Sequence, residues 1–226
     1  MNPDSLAPRF VPVAEHSVLV EFADDFGAEA HDAVLALDRA LGTTRTHGLL
    51  EVVPALVNLL VRFDPLLTDH EQIGSAVRGA LSQQADEQNL PRRHEVQVCY
   101  HESVAPDLEQ VASACGVSVR GLVDAHRSAV YRVLMYGFAP GYAYLDGLPP
   151  TLRQPRKPVP VRDVPAGSVA IAGPQSLVTT LDMPTGWWVI GRSPTAILDP
   201  TSEEPYLFDL GDDVQFREIS LSDLEP

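Results

Sequence analysis

Six prolines, at positions 149, 150, 155, 158, 160 and 165, fall within seventeen residues of this chain. Each fixes its own φ, removes a backbone donor and biases the preceding residue away from helix. The run can therefore be neither a helix nor a central strand. It must be stiff and extended. It also carries Arg153, Arg156, Lys157 and Arg162 against the single Asp163, in a chain with 16 Lys+Arg, 31 Asp+Glu and a net charge of −15. Two readings fit this local inversion of sign: a solvated loop, or a stiff segment that aims cations at an anionic substrate or a partner surface. Stiffness in the second case lowers the entropy cost of binding.

The sequence before this run is α/β in texture. "HSVLVEFA" (16–23) alternates as a strand, and "DAVLALDRAL" (32–41) has helical spacing with Gly42 at the expected C-terminal position. "GLLEVVPALVNLLVRFD" (48–64) predicts two strands joined tightly at Pro54, and 68–84 predicts a helix opened by a Thr68–Glu71 capping box. "HEVQVCY" (94–100) is a further alternating strand. The order β-α-β-β-α-β is the split βαβ, or ferredoxin-like, plan. A joint at 86–93 places the boundary near residue 90, giving an α+β domain over 1–90 and a second domain over 91–226, with strand 94–100 able to join either. Two short helices follow, 107–115 and 118–128, the second capped by Ser118. From Tyr131 the chain reads as short strands ("YRVLMYGF", "GSVAIAG", "SLVTTLDM", "GWWVIGR", "TAILD", "VQFREI") punctuated by Gly, Pro and Asp, which predicts an antiparallel barrel or sandwich.

Composition excludes several functions. A chain at −15 repels nucleic-acid phosphates and anionic membranes. No apolar run approaches the ~20 residues that span a bilayer. The N-terminus lacks a basic stretch followed by an apolar one, so a signal peptide is not expected and a cytoplasmic location is. Two cysteines, Cys99 and Cys115, suggest free thiols rather than a disulfide framework. No CxxC or His/Cys cluster points to a metal. Phosphate-loop, dinucleotide and nucleophile-elbow motifs are absent, as is a biotin-acceptor lysine. Any ATP or biotin chemistry must be housed on another chain.

Candidate site residues lie on either side of the proline run. His126 falls on the apolar stripe Val119, Leu122, Val123 of the second short helix. It reads as a core histidine or as a proton carrier facing a pocket. Arg132 sits in a strand between apolar neighbours and needs an anion, from an internal carboxylate or a ligand. Gly137 and Gly141 permit close approaches, and Phe138, Tyr142 and Tyr144 would form an aromatic wall. In "VPAGSVAIAGPQS" (164–176) small residues, Ser168 among them, leave one strand face bare, so something else must fill it. Gln175, beside the Gly-Pro break, can both donate and accept. Trp187 and Trp188 should face opposite ways, one into the core and one over a surface.

Taken in order, "YRVLMYGFAPGYAYLDGLP", "PR", "VPAGSVAIAGPQ", "GWWVIGRSP" and "AILDP" resemble the carboxyltransferase-domain family, which includes the B-type subunit of 5-oxoprolinase, allophanate hydrolase subunit 1 and the sporulation kinase inhibitor. The resemblance implies a ferredoxin-like N-terminal domain and a cyclophilin-like antiparallel β-barrel. It implies as partner a second carboxyltransferase-type subunit (the C-type subunit of 5-oxoprolinase or allophanate hydrolase subunit 2-like), with room for a third, hydrolase subunit. It places His126, Arg132, Phe138, Arg156, Arg162, Ser168 and Gln175 in the pocket. "GYAYL", "QSLVT" and "PTGWW" depart from the family's usual GFPYL, QTGIY and PGGW, altering the pocket more than the fold.

The function expected is that of a non-autonomous subunit of an ATP-dependent 5-oxoprolinase-type amidohydrolase, inactive alone, or under older naming allophanate hydrolase subunit 1 with a ureido substrate. In it His126, Arg132 and Gln175 are catalytic, and Phe138, Arg156, Arg162 and Ser168 bind the substrate in a lined hollow of the barrel. No cofactor is held by this chain, and ATP is used by the complex. The alternatives are a histidine-kinase inhibitor whose cationic loop and paired tryptophans form the contact, or half of a biotin-dependent carboxyltransferase.

Overall fold

The computed structural model describes residues 7–83 and 91–224, so most of the expected 86–93 joint lies outside the described residues. Two compact units are present, Met1–Leu90 and Pro91–Pro226.

In the first unit the strands β1 (Arg9–Val13), β2 (Ser17–Glu21), β3 (Leu49–Pro54) and β4 (Asn58–Phe63) form an antiparallel sheet in the order β1-β2-β4-β3. Helices α1 (Ala28–Thr43) and α2 (His70–Gln83) follow β2 and β4. Alternation along β2 and β4 drives Val18, Val20, Leu59, Val61 and Phe63 to one face. There they meet Val34, Leu37 and Leu41 of α1 and Ile73 and Val77 of α2. Two expected helix ends differ. Gly42 lies inside α1, where the Thr43 and Thr44 hydroxyls bond back to the Ala40 carbonyl, and the chain leaves the helix extended at Thr44. At α2 the cap is Asp69, whose Oδ1 accepts the Gln72 N–H at 2.9 Å, while Thr68 donates to the Gln72 side chain. The shorter Asp carboxylate, one residue nearer, outcompetes the predicted box. The edge place beside β2 is taken by β1, a strand absent from the sequence expectation.

The second unit contains β5 (Arg93–Val98), α3 (Leu108–Ala114), α4 (Val119–Ser128), β6 (Tyr131–Tyr136), β7 (Ala143–Asp146), β8 (Val161–Val164), β9 (Ser168–Ala172), β10 (Gln175–Val178), β11 (Met183–Thr185), β12 (Trp188–Arg192) and β13 (Asp213–Glu218). Seven strands form one sheet in the order β12-β9-β10-β7-β6-β13-β5. Its two ends meet at a single bridge, Cys99 with Arg192, through N···O contacts of 2.7 and 2.9 Å. The result is a nearly closed barrel. Gly191 lets the seam close, since a Cβ there would stand 2.7 Å from Val98 and 3.0 Å from the Cys99 carbonyl. The expected all-antiparallel pattern fails at one ladder: β5 runs parallel to β13. Strand 94–100 thus belongs with the C-terminal strands. "TAILD" is no strand and makes only the Leu198–Tyr206 bridge. β8, inside the proline run, pairs only with β11 in a separate two-stranded ladder, an edge position that tolerates missing donors.

The barrel interior is filled rather than hollow. Val96, Val98, Tyr131, Val133, Leu145, Val169, Ile171, Val178, Ile190, Val214 and Phe216 point inward, joined by Leu108, Val111, Leu122 and Val123 of α3 and α4. Each such buried side chain contributes about 1.5–3 kcal/mol. The expectation of a lined cavity inside the barrel is therefore corrected. Ser118 caps α4 as predicted, accepting the Gly121 N–H at 3.0 Å. Among the described residues no helix is long and apolar enough to cross a membrane.

Candidate functional site

Strand parity decides where the polar residues point. On β6, β7 and β10 the inward side chains are Tyr131, Val133, Leu145 and Ser176, all buried. Arg132, Asp146 and Gln175 alternate with them and take the outer face. Register joins them into a row: Gln175 stands opposite Asp146, Asp146 opposite Arg132, Arg132 opposite Asp213, and Asp213 opposite Arg93. Directly paired residues hold their Cβ atoms about 5 Å apart. Internal carboxylates therefore flank Arg132 on both sides, and all four of Arg132, Asp146, Gln175 and Asp213 are half-buried. Arg132 and Gln175 lie together, as expected, but on the outside of the barrel. Asp146, which the sequence reading did not single out, shares the row; strand parity carries its signal once β7 is separated from β6.

Beside this row runs a line of aromatic rings. Phe138 and Tyr142 are 5.4 Å apart between centroids, Tyr142 and Tyr144 5.6 Å, and Tyr144 and Trp187 5.9 Å. The Arg156 guanidinium caps the line, 5.6 Å from the Trp187 ring. The bare strand face is filled from within: Ala170 and Ala172 pack under Tyr142, Trp187, Met183 and Leu177 in a second apolar cluster. Burial raises the Tyr142 phenol to about 12, with Tyr144 adding to the rise and a bond to Thr185 and the Arg156 charge opposing it.

The aromatic line ends in strain. Phe138 has φ +73°, and the Ala139 N–H bonds the Gly137 carbonyl at 2.9 Å. That is a γ-turn with its central residue at positive φ, a rare and costly conformation, here on a bulky side chain. The ring is 74% exposed. The sequence points to Gly137 and Gly141 for unusual backbone; Gly141 does adopt φ +69°, but Phe138 shares the role.

His126 is a core residue. It is fully buried, stacked on Phe216 at 4.5 Å, with Nδ1 2.8 Å from the Tyr100 hydroxyl and Nε2 3.3 Å from Ser176 Oγ. Ser176 in turn donates to the Ala170 carbonyl, so the consistent chain of donors is Tyr100 O–H to Nδ1, and Nε2–H to Ser176. Burial pushes the imidazole down to about 3 and the Tyr100 phenol up, keeping both neutral. His126 does not line a cleft, and the pocket wall expected of it is corrected to a position beneath β10.

The remaining predicted residues separate. Ser168 is buried and locks a turn, donating to the Pro165 carbonyl at 2.7 Å. Arg162 is exposed on β8 beside Asp163 and Asp182, along a shallow 280 Å³ cleft. Lys157 does not project from the loop: its Nζ meets Asp107 at 2.5 Å with both side chains about one-tenth exposed, and Asp107 also accepts the Val189 N–H. Trp188 donates to the Pro155 carbonyl at 2.7 Å. Trp187 is buried and Trp188 half-buried, so neither is an exposed contact residue. The proline run is thus pinned at 155 and 157, and Arg156 is held between the pins. No group of acidic, His or Cys residues able to hold a metal occurs among the described residues.

Residues 8–208 match the family described as carboxyltransferase domain, subdomain C and D. The chain belongs to that family. Its similarity to the 5-oxoprolinase B-type subunit of Bacillus subtilis (strain 168) is 32% identity over 93% of this chain and 92% of that protein. Its similarity to the protein of the same name from Haemophilus influenzae is 31% over 92% and 96%. Among solved structures TTHA0988 superposes with a TM-score of 0.82 at 35% identity, over 91% of this chain and 40% of that one. This chain therefore spans less than half of that longer protein.

Proposed function

We propose that this chain is one subunit of an ATP-dependent 5-oxoprolinase-type amidohydrolase, inactive alone, that acts with a second carboxyltransferase-type subunit and a hydrolase subunit to open L-5-oxoproline to L-glutamate. The observation that carries this reading is similarity along almost the whole of two proteins named as the B-type subunit of 5-oxoprolinase. Within it, the split β2-α1-β3 arrangement with β4 between is a ferredoxin-like domain whose edge strand is β1, and the filled barrel is cyclophilin-like. The reducing cytoplasm suits its two free thiols.

The outer face supplies what a small cyclic amide acid needs. Arg156, stiffened by its pins, holds the carboxylate. Gln175 reads the lactam, donating to its oxygen and accepting from its N–H. Tyr144 and Trp187 form the apolar wall. Arg132, Asp146 and Asp213 set the charge of the floor, Phe138 and Arg162 border the face, and Ser168 holds the β9 turn. His126, through Ser176, fixes the strand on which Gln175 sits and positions it without touching substrate. The reaction consumes one ATP and two waters and yields ADP, phosphate and glutamate; a partner chain houses the nucleotide. Because the face is open, the second subunit completes it and excludes water. Purified alone and with the subunits encoded beside it, the chain should support 5-oxoproline-dependent ATP hydrolysis only in the mixture. Full activity in a mixture lacking this chain would refute the assignment.

A further inference from the structure

The seam of the barrel borders an open cleft of about 790 Å³, lined by Ser103, Arg192, Ser193, Leu221 and Ser222 among nine residues, none of them acidic. That absence is unusual in a chain with 31 carboxylates against 16 Lys+Arg. Arg192 is half-buried, and its guanidinium makes no hydrogen bond, ion pair or ring contact with another described residue. By contrast Arg9, Arg62, Arg92, Arg120, Arg127 and Arg217 each hold a carboxylate. Asp223, close by in sequence to the lining residues, is engaged by Ser220.

The backbone around Arg192 is clamped. It bonds Cys99 on one side and faces Ser168 across β9 on the other, while the Ser193 N–H donates to the Gly167 carbonyl at 2.7 Å. Gly167 permits this at φ +80°, where a Cβ would stand 2.5 Å from the Ser193 carbonyl. Ser193 Oγ, on the cleft lining, accepts the Thr195 N–H at 3.0 Å, which leaves its own O–H able to donate to a ligand. A guanidinium on clamped backbone, a buried hydroxyl and no acidic lining residue share one concavity, although Asp182 accepts the Ala166 N–H at 2.8 Å behind it.

We propose that this cleft binds a small oxyanion, a carboxylate or phosphate group, with the Arg192 guanidinium spanning two of its oxygens and the Ser193 hydroxyl donating to it. The site is independent of the outer face described above. The full chain, labelled with ¹⁵N, would be titrated at constant ionic strength with inorganic phosphate and, separately, with acetate, using chloride as control. Saturable shifts of the Arg192 Nε and the Ser193 amide are expected with at least one anion. Saturation by phosphate alone assigns a phosphorylated ligand, and by acetate alone a carboxylate; either supports the site. R192Q should abolish saturation, S193A should weaken it about five- to tenfold, and R156Q should leave it intact. If R192Q does not fold, R192K keeps the charge without the fork and should bind more weakly. Shifts no larger than those with chloride, or saturation that survives loss of the fork in R192K undiminished and of the hydroxyl in S193A, would overturn the proposal.

Discussion

The second unit contains two lines of aromatic and polar groups that look alike in sequence and differ in kind. Tyr100, His126 and Ser176 run through the core, each polar atom matched to a neighbour. Phe138, Tyr142, Tyr144, Trp187 and Arg156 run over the outer face, with an exposed ring at one end and an exposed cation at the other. The inner line is finished: its protons have fixed places and its histidine cannot charge near neutrality. The outer line is unfinished, and its loose ends are where chemistry or a partner can attach. A titratable residue on an apolar stripe is thus a core residue here, whereas an arginine held between two anchored loop residues stays exposed.

That contrast can be broken in four ways. The largest effect is expected at the anchor itself. K157M removes the partner of nearly buried Asp107 and should lower stability by about 3–5 kcal/mol in urea unfolding; a loss below about 1 kcal/mol would mean that the loop is not pinned there. R156Q, at the open end, should raise KM for 5-oxoproline in the reconstituted complex about ten- to a hundredfold, the weight of a bond to a charged group, with the melting temperature unmoved. An unchanged KM would take Arg156 out of the site.

The closed line predicts a pH dependence. Unfolded, the His126 imidazole binds a proton below its ordinary value of 6.5; folded, it does so only near 3. The unfolded state therefore holds the extra proton between those values. Stability from this group is full above pH 6.5 and is lost as pH falls towards 3, at up to about 1.4 kcal/mol per pH unit. Urea midpoints stepped through that range should show the slope in the parent chain and a shallower one in H126F; equal slopes would contradict the buried, neutral assignment. The smallest effect concerns the γ-turn. F138G removes the strain without uncovering core and should raise the melting stability by about 1 kcal/mol, against the added freedom of the unfolded chain. It should also weaken association with the second carboxyltransferase-type subunit in a pull-down titration, and unchanged association would show that the exposed ring is no contact.

Much of the fold was legible because periodicity survives locally. The alternation of β2, the strand segments at β4, β9, β12 and β13 and the α4 cap at Ser118 all rest on patterns within a few residues. What failed depended on distant partners. The parallel pairing of β5 with β13 joins residues 93–98 to 213–218, and no local signal announces which strand a chain end will choose. The candidate site is legible in the sequence as a list of residues and not as a place. The sequence names Arg132 and Gln175 as candidates, but whether they face in or out requires the register of β6 with β7. Lys157 and Arg156 are adjacent and chemically similar; only Asp107, fifty residues earlier, distinguishes the structural cation from the available one.

A tube closed along its length by so few contacts has an obvious place to come apart. Among the described residues, Cys99 and Arg192 form the one backbone bridge between the first and last staves of this barrel, helped by the Gln97 N–H donating to Thr195 Oγ1 at 3.1 Å. Their amides should be among the first in the unit to exchange with deuterium through local opening. A guest bound by Arg192 would then do more than sit in a groove: it would hold the lap joint shut, and the wall of the barrel would become firmer by however much that guest prefers the closed form.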